Sequence, residues 1–345
     1  MSFLFLVIGF VLLVKGADIL INSASKLAAF FGVSPFIIGL SVVAFGTSAP
    51  EATVGVLSGI DHTNQLSLGD VVGSCIANIA LIIGVTVIIK PLVVERSTIK
   101  KELPLSLGMQ ILLLVMALLG SIISRIDGIV LLVLFASFLC YVVYSSRQDP
   151  ENQIVDGMHI ALDEIAVTSD SIDASAELGT GNASILGSST SQKSNIKEIG
   201  KLIFLLVLGL TGLVGGGNIV VDSSVNIAHM FGLNETLIGL TIVAIGTSLP
   251  ELVTSVMAAL KNESDIAIGN IIGSNIFNIL FVLGLSSTIF PIKVLYSVNL
   301  DILIMILTTV LLFALAFFQK KISRIGGFVL LSYYIGYIIF KVSTI

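Results

Sequence analysis

The sequence predicts an all-α polytopic membrane protein of ten transmembrane helices, arranged as two inverted five-helix repeats. Three observations carry that prediction. The 345-residue chain is 55% hydrophobic and 11% charged, where a soluble protein would carry about a quarter charged residues. Its mean hydropathy is +1.08, and apolar runs of roughly 18 residues or more, long enough to cross a bilayer, recur along most of its length. A polar motif also occurs twice: Gly46-Thr47-Ser48-Ala49-Pro50-Glu51 returns 200 residues later as Gly246-Thr247-Ser248-Leu249-Pro250-Glu251.

In the first half the spans fall at residues 2–24, 34–60, 67–90, 103–123 and 127–145. In the second they fall at 200–224, 234–260, 267–290, 298–318 and 325–342. The first span lacks a basic leader and carries Lys15 and Asp18, so it reads as a retained helix rather than a cleaved signal. The halves align without a gap, with 19 identities in 50 positions between 31–80 and 231–280. Five spans is an odd number, so the second copy must enter the membrane upside down. The repeats occupy 1–145 and 199–345. The stretch 146–198, rich in Ser, Asp and Glu, reads as a mostly disordered linker. Its acids lack the alternating spacing of a calcium loop.

Charge sets the orientation. With the N-terminus outside, 13 of the 17 Lys and Arg residues fall on inside segments and 3 outside, with Lys15 inside the first span. The bias predicts both termini outside and a cytoplasmic linker, which argues against use of the Asn182-Ala183-Ser184 sequon. Cys75 and Cys140 read as packing thiols, with no metal or disulfide pattern. His62, His159 and His229 lie in loops or linker, none placed for catalysis.

The duplicated motif has a direct chemical reading. Proline lacks an N–H, so Pro50 and Pro250 leave the carbonyls of Gly46 and Gly246 without their helical partner. Inside a membrane such a carbonyl needs another partner, and a cation can serve. Thr47, Ser48 and Glu51 share one helix face, as do Thr247, Ser248 and Glu251. The glycines permit close approach of a neighbouring helix.

About 22 residues after each Glu, Gly73-Ser74-Cys75-Ile76-Ala77-Asn78 returns as Gly273-Ser274-Asn275-Ile276-Phe277-Asn278. Ser74 and Asn78 are one turn apart, like Ser274 and Asn278, and Gly69, Gly73, Gly269 and Gly273 would allow a kinked or broken helix. The pooled donors are all oxygen, which suits sodium and calcium better than magnesium. Two carboxylates can neutralise one divalent or two monovalent ions. The hydroxyls could equally bond their own backbone, whereas buried acids in membrane helices usually mark an ion or proton path. Asp18 aligns with Asn218 and Asn22 with Asp222; these brace helices or line an ion path. Asp70, aligned with Asn270, either sits in an access path or holds a kink. Asp301 is expected near a membrane face.

With both elements present twice, the chain resembles the sodium/calcium exchanger family of the calcium/cation antiporter superfamily, prokaryotic type. The resemblance covers both halves. It implies ten helices in two inverted repeats, with the second, third, seventh and eighth enclosing the ion sites. It implies Glu51, Glu251, Thr47 and Thr247 as calcium ligands. Sodium would be held by Glu51, Glu251, Thr47, Ser48, Ser74, Thr247, Ser248 and Ser274, with Asn78 and Asn278 completing the centre. Many microbial and potassium-dependent relatives carry Asp at the position of Asn278, so its neutral side chain points to potassium-independent exchange. The resemblance also implies sliding of the first and sixth helices across the core.

The expected function is therefore sodium-for-calcium antiport across the plasma membrane, electrogenic at about three sodium ions per calcium. The ions are cargo, no cofactor or nucleic acid is expected, and the protein is expected to be monomeric. A calcium/proton antiporter on the same fold is the alternative. A cation channel is disfavoured by the inverted symmetry, and an intramembrane hydrolase by the absence of a histidine or metal cluster at matching depth.

Overall fold

The computed structural model describes residues 2–62, 64–145, 191–230, 244–319 and 321–343. It is helical almost throughout. The first half runs α1 (Ser2–Phe31), α2 (Pro35–Thr47), α3 (Ala49–Ile60), α4 (64–89), α5 (Thr98–Gly120) and α6 (Arg125–Ser145). The second runs α7 (Ser191–Met230), the single turn α8 (Ala244–Thr247), α9 (Leu249–Leu260), α10 (Ser264–Ile289), α11 (Tyr296–Gln319) and α12 (Arg324–Ser343).

Among the described residues, eight helices are long and apolar enough to cross a membrane, and the bent pair α2–α3 makes a ninth. The span expected at 234–260 is described only from Ala244 onward, and the linker acids, His159 and the Asn182 sequon lie outside the described residues. The chain is thus a multi-pass membrane protein. Large apolar side chains such as Phe10, Leu119, Phe204 and Phe318 cover its outside, a surface that only lipid would solvate favourably.

Helices α1 and α7 are longer than their hydropathy suggested, at 30 and 40 residues. They pack antiparallel: Gly9 meets Gly216 and Val220, while Gly16 meets Gly209 and Leu213. A Cβ on Gly16 would lie 2.6 Å from the Leu213 nitrogen, so only glycine permits this backbone approach. Antiparallel packing of equivalent helices is the arrangement an inverted duplication requires.

Two further pairings repeat with halves exchanged. Gly84 of α4 packs on Gly327 of α12, and Gly284 of α10 on Gly128 of α6. Two minimal ladders were not legible in the sequence: β1 (Leu92–Val93) pairs with β4 (Lys321–Ile322), and β2 (Ile122–Ile123) with β3 (Ile292–Lys293). Each joins loops that the charge pattern assigns to the same side.

The centre is formed by α4 and α10, whose most apolar windows are 72% and 94% buried, against 22–39% in the other six spanning helices. Gly39 approaches Ile266, and Gly269 and Gly273 approach Phe36, Leu40 and Ala44, which seats α2 against α10. The break anticipated near these glycines is absent: α10 runs regularly through both, and α4 through Gly69 and Gly73. The irregularity comes later, as wide π-turns over Asn78–Ile83 and Asn278–Val282. In α10 the glycines serve packing, and the π-turns begin at the asparagines themselves. Of the two thiols, Cys75 is buried as expected, but Cys140 is exposed on the outer surface.

Candidate ion-binding site

Each motif breaks its helix at the serine before the Pro-Glu pair. Ser48 has φ −83° and ψ 13°, and Ser248 has φ −86° and ψ 3°. Pro50 and Pro250 follow in the first turns of α3 and α9, where a missing N–H is tolerated. The axis bends by 48° between α2 and α3. Glu51 and Glu251 therefore fall in the first turn of a new helix, at the positive end of its dipole. Gly46 lies against Leu210 and Gly246 against Val221, both on α7, in keeping with close helix approach.

The structure gathers the motif residues into one buried centre. Glu51, Glu251, Thr47, Ser48, Asn78, Ser274 and Asn278 are fully buried, Ser74 and Ser248 nearly so, and Thr247 is half-buried. Ser48 donates to Glu251 Oε1 at 2.9 Å, and Ser274 donates to the same oxygen at 3.5 Å. Thr47 donates to the Ala44 carbonyl at 3.2 Å and to Asn270 Oδ1 at 3.1 Å. Those hydroxyls are thus partly used within the protein.

Other groups have no partner among the described residues. These are both oxygens of Glu51, Glu251 Oε2, the hydroxyls of Ser74 and Ser248, Asn78 Oδ1 and the whole Asn278 amide. Buried polar atoms are ordinarily satisfied, and two adjacent buried carboxylates without counter-charge are costly. A cation held between Glu51 and Glu251 would satisfy many of these oxygens at once. The donors fit a hard ion.

Asn275 was not singled out by the motif reading. Asn78 Nδ2 donates to its Oδ1 at 2.9 Å, while Asn275 Nδ2 donates to the Cys75 carbonyl at 3.3 Å. Residues 75 and 275 are repeat equivalents, so α4 and α10 meet at corresponding positions. The polar Asn at one of two otherwise matched sites was the available signal.

The two approaches to the centre differ. On one side α1 packs along α9. There Lys261 Nζ lies 2.6 Å from Asp18 and also bonds Asn22 Oδ1, while Ser25 donates to Glu263 Oε1 at 2.6 Å. Lys90 holds the same turn through the Leu260 carbonyl and Asn262. Asp18 and Asn22 thus brace helices. A cavity of about 330 Å³ beside this clasp, lined by Asn22, Ser25, Lys261 and Glu263, reaches no motif residue. On the other side α7 makes no comparable packing on α3, and a cavity of about 320 Å³ reaches Thr247 and both prolines, with Asn218 and Asp222 on its wall. Asp301 pairs with Lys341 at 2.6 Å near the end of α12.

Comparison with known proteins bears directly on this geometry. The profile of the sodium/calcium exchanger protein family matches residues 1–144 and again 201–343. The chain belongs to this family. Sodium/calcium exchanger MaX1 of Methanosarcina acetivorans is 32% identical over 359 residues, covering 98% of this chain and 97% of its own. Inner membrane protein YrbG of Escherichia coli (strain K12) is 36% identical over 293 residues, covering 83% and 79%. Among solved structures, the sodium-calcium exchanger NCX_Mj soaked with 10 mM Na+ and zero Ca2+ superposes with a TM-score of 0.77 at 30% identity, covering 97% and 96%. Members of the exchanger family are transporters rather than enzymes, and this chain is a cation antiporter of that family.

Proposed function

We propose that the protein exchanges sodium for calcium by alternating access between two inverted five-helix repeats. One observation carries the reading: two fully buried carboxylates, Glu51 and Glu251, face an oxygen-rich centre in which both Glu51 oxygens, Glu251 Oε2 and the Ser74 and Ser248 hydroxyls lack partners among the described residues. Calcium would take Glu51, Glu251, Thr47 and Thr247. Sodium ions would use the same carboxylates with Thr47, Ser48, Ser74, Thr247, Ser248 and Ser274. Asn78 and Asn278 would complete the centre as neutral ligands. Because one site holds either cargo, occupancy by one excludes the other, which is the basis of exchange. The names of MaX1 and NCX_Mj, and the soaking of NCX_Mj with sodium, calcium and strontium, support this choice of ions.

In this reading the ions are cargo, one chain holds the complete site, and no resident cofactor takes part. The chain lies in the plasma membrane with both termini outside and residues 146–198 cytoplasmic. The cavity beside Asp222 then faces outward, and the Lys261 clasp seals the cytoplasmic side. Three sodium ions per calcium move one net charge, worth about 2.3 kcal/mol per 100 mV. Calcium-dependent current in reconstituted membranes with a sodium gradient tests this; sodium-dependent flux without net current would contradict the stoichiometry. A calcium/proton exchanger would use the same carboxylates, and calcium flux driven by a pH gradient without sodium would favour it. Flux is expected to be unchanged when potassium replaces choline, because Asn278 adds no negative charge for a further cation.

The clasp yields a sided prediction. Lys261→Met is expected to strengthen apparent cytosolic calcium affinity and weaken external affinity, the two changes together making up a few-fold shift between the states, since it removes a contact made in one state only. Initial-rate measurements from each side check this; an equal loss on both sides would indicate damage to the site instead.

A further inference from the structure

The two halves differ at one position beside the ion centre. Both polar atoms of Asn270 are bonded within the protein: Nδ2 donates to Ser255 at 3.2 Å and Oδ1 accepts from Thr47 at 3.1 Å. Its counterpart is Asp70, which can only accept hydrogen bonds when ionised. The counterpart of Ser255 is Gly55, which has no hydroxyl to offer. The Ser255 contact of the second half therefore has no equivalent in the first. Asp70 Oδ2 is buried without a partner among the described residues, and so are the hydroxyl of Ser67 and both oxygens of Glu51.

These groups share one face. Helices α3 and α4 pack together across the short turn after Ile60, and a Cβ on Gly55 would lie 3.4 Å from Ser67 Oγ. Antiparallel packing from that contact brings Glu51, one turn before Gly55, level with Asp70, one turn after Ser67. Ser74 follows Asp70 by one further turn, so Ser67, Asp70 and Ser74 line one side of α4. Asp70 and Ser67 lie between Ser74 and the loop that the charge pattern places outside. The segment Ala244–Thr247 packs on α4, and its Thr247 also lines the 320 Å³ cavity.

We propose that Asp70 and Ser67, with Glu51, form an outer cation subsite for sodium or calcium, between the external cavity and the centre. It rests on the antiport reading above. The second half keeps the neutral, internally bonded Asn270 and Ser255, so the cytoplasmic approach has no matching station. Asp70 acts as a cation ligand and does not hold a kink, since α4 is regular from Asn64 to Ala77.

The test is Asp70→Asn, which installs the side chain found at the equivalent position of the second half. Two readouts are needed on the full-length protein: external calcium KM in proteoliposomes, and the rise in Tm on adding calcium to the purified protein. Fewer charged ligands weaken calcium sites, and here KM is expected to rise roughly tenfold, with a smaller calcium-induced Tm rise. Asp70→Glu, which keeps the carboxylate, should restore most of both. Ser67→Ala should give a weaker effect of the same sign, and it decides the matter should Asp70→Asn not fold. Wild-type KM and calcium response in both Asp70→Asn and Ser67→Ala would overturn the proposal while leaving antiport intact. A wild-type protein that neither transports calcium nor is stabilised by it would overturn both.

Discussion

Glu51→Gln is expected to abolish sodium-driven calcium flux, by at least about a hundredfold, without unfolding the protein. Loss of one ionised ligand from a buried ion pair costs about 3 kcal/mol or more, which is that factor in affinity. Glu251→Gln should do the same, although its partners differ: Glu251 already accepts from Ser48 and Ser274, while Glu51 has no partner among the described residues. Stability should move the other way. A neutral amide avoids burying an uncompensated charge, so in the absence of cations Glu51→Gln should melt no lower than the wild type. Added calcium should then raise the wild-type Tm and leave the variant unmoved. Retained exchange in Glu51→Gln would remove this carboxylate from the centre of the mechanism.

Gly273→Ala should have the largest effect on folding. An added Cβ would lie 2.2 Å from the Leu40 carbonyl oxygen and 2.7 Å from the Ala44 Cβ. The obstacle is backbone of a packed helix, so α2 would have to move off α10, taking Thr47 and Ser48 with it. Overpacking of this kind costs about 1–3 kcal/mol and occasionally more. The expected result is poor yield of monodisperse protein and a clearly lowered Tm. Gly246→Ala makes an instructive contrast: its nearest neighbour, at 2.3 Å, is a Val221 methyl that can rotate aside. Gly108→Ala, where an added methyl meets no described atom within 4 Å, should be neutral or slightly stabilising through helix propensity. An unchanged Tm in Gly273→Ala would show that the α2–α10 contact is looser than described.

Much of this architecture is legible in the sequence because a membrane leaves so few options. Apart from α1 and α7, the apolar runs mark the described spans within a few residues, and the helix breaks expected from Gly46, Pro50, Gly246 and Pro250 fall between those residues, at Ser48 and Ser248. The two short ladders were not legible, although each joins loops that the Lys and Arg pattern assigns to one side. Other features were hidden for specific reasons. Hydropathy truncates α1 and α7, since a helix continues through polar residues such as Asn22 and Ser25 when a neighbour supplies their partners. The π-turns after Asn78 and Asn278 have no residue signature separating them from regular helix. Gly269 and Gly273 suggested a break because glycine permits one, but the close backbone of α2 is what requires them. The difference between Asp70 and Asn270 was visible, whereas its consequence depends on Ser255 and Gly55, whose proximity only the packing reveals.

Calcium-45 uptake into proteoliposomes loaded with sodium or with choline, at matched pH and without potassium, separates sodium-coupled exchange from the other couplings. Uptake is expected with internal sodium only. Equal uptake from choline-loaded vesicles, or none until a proton gradient or potassium is supplied, would contradict sodium coupling.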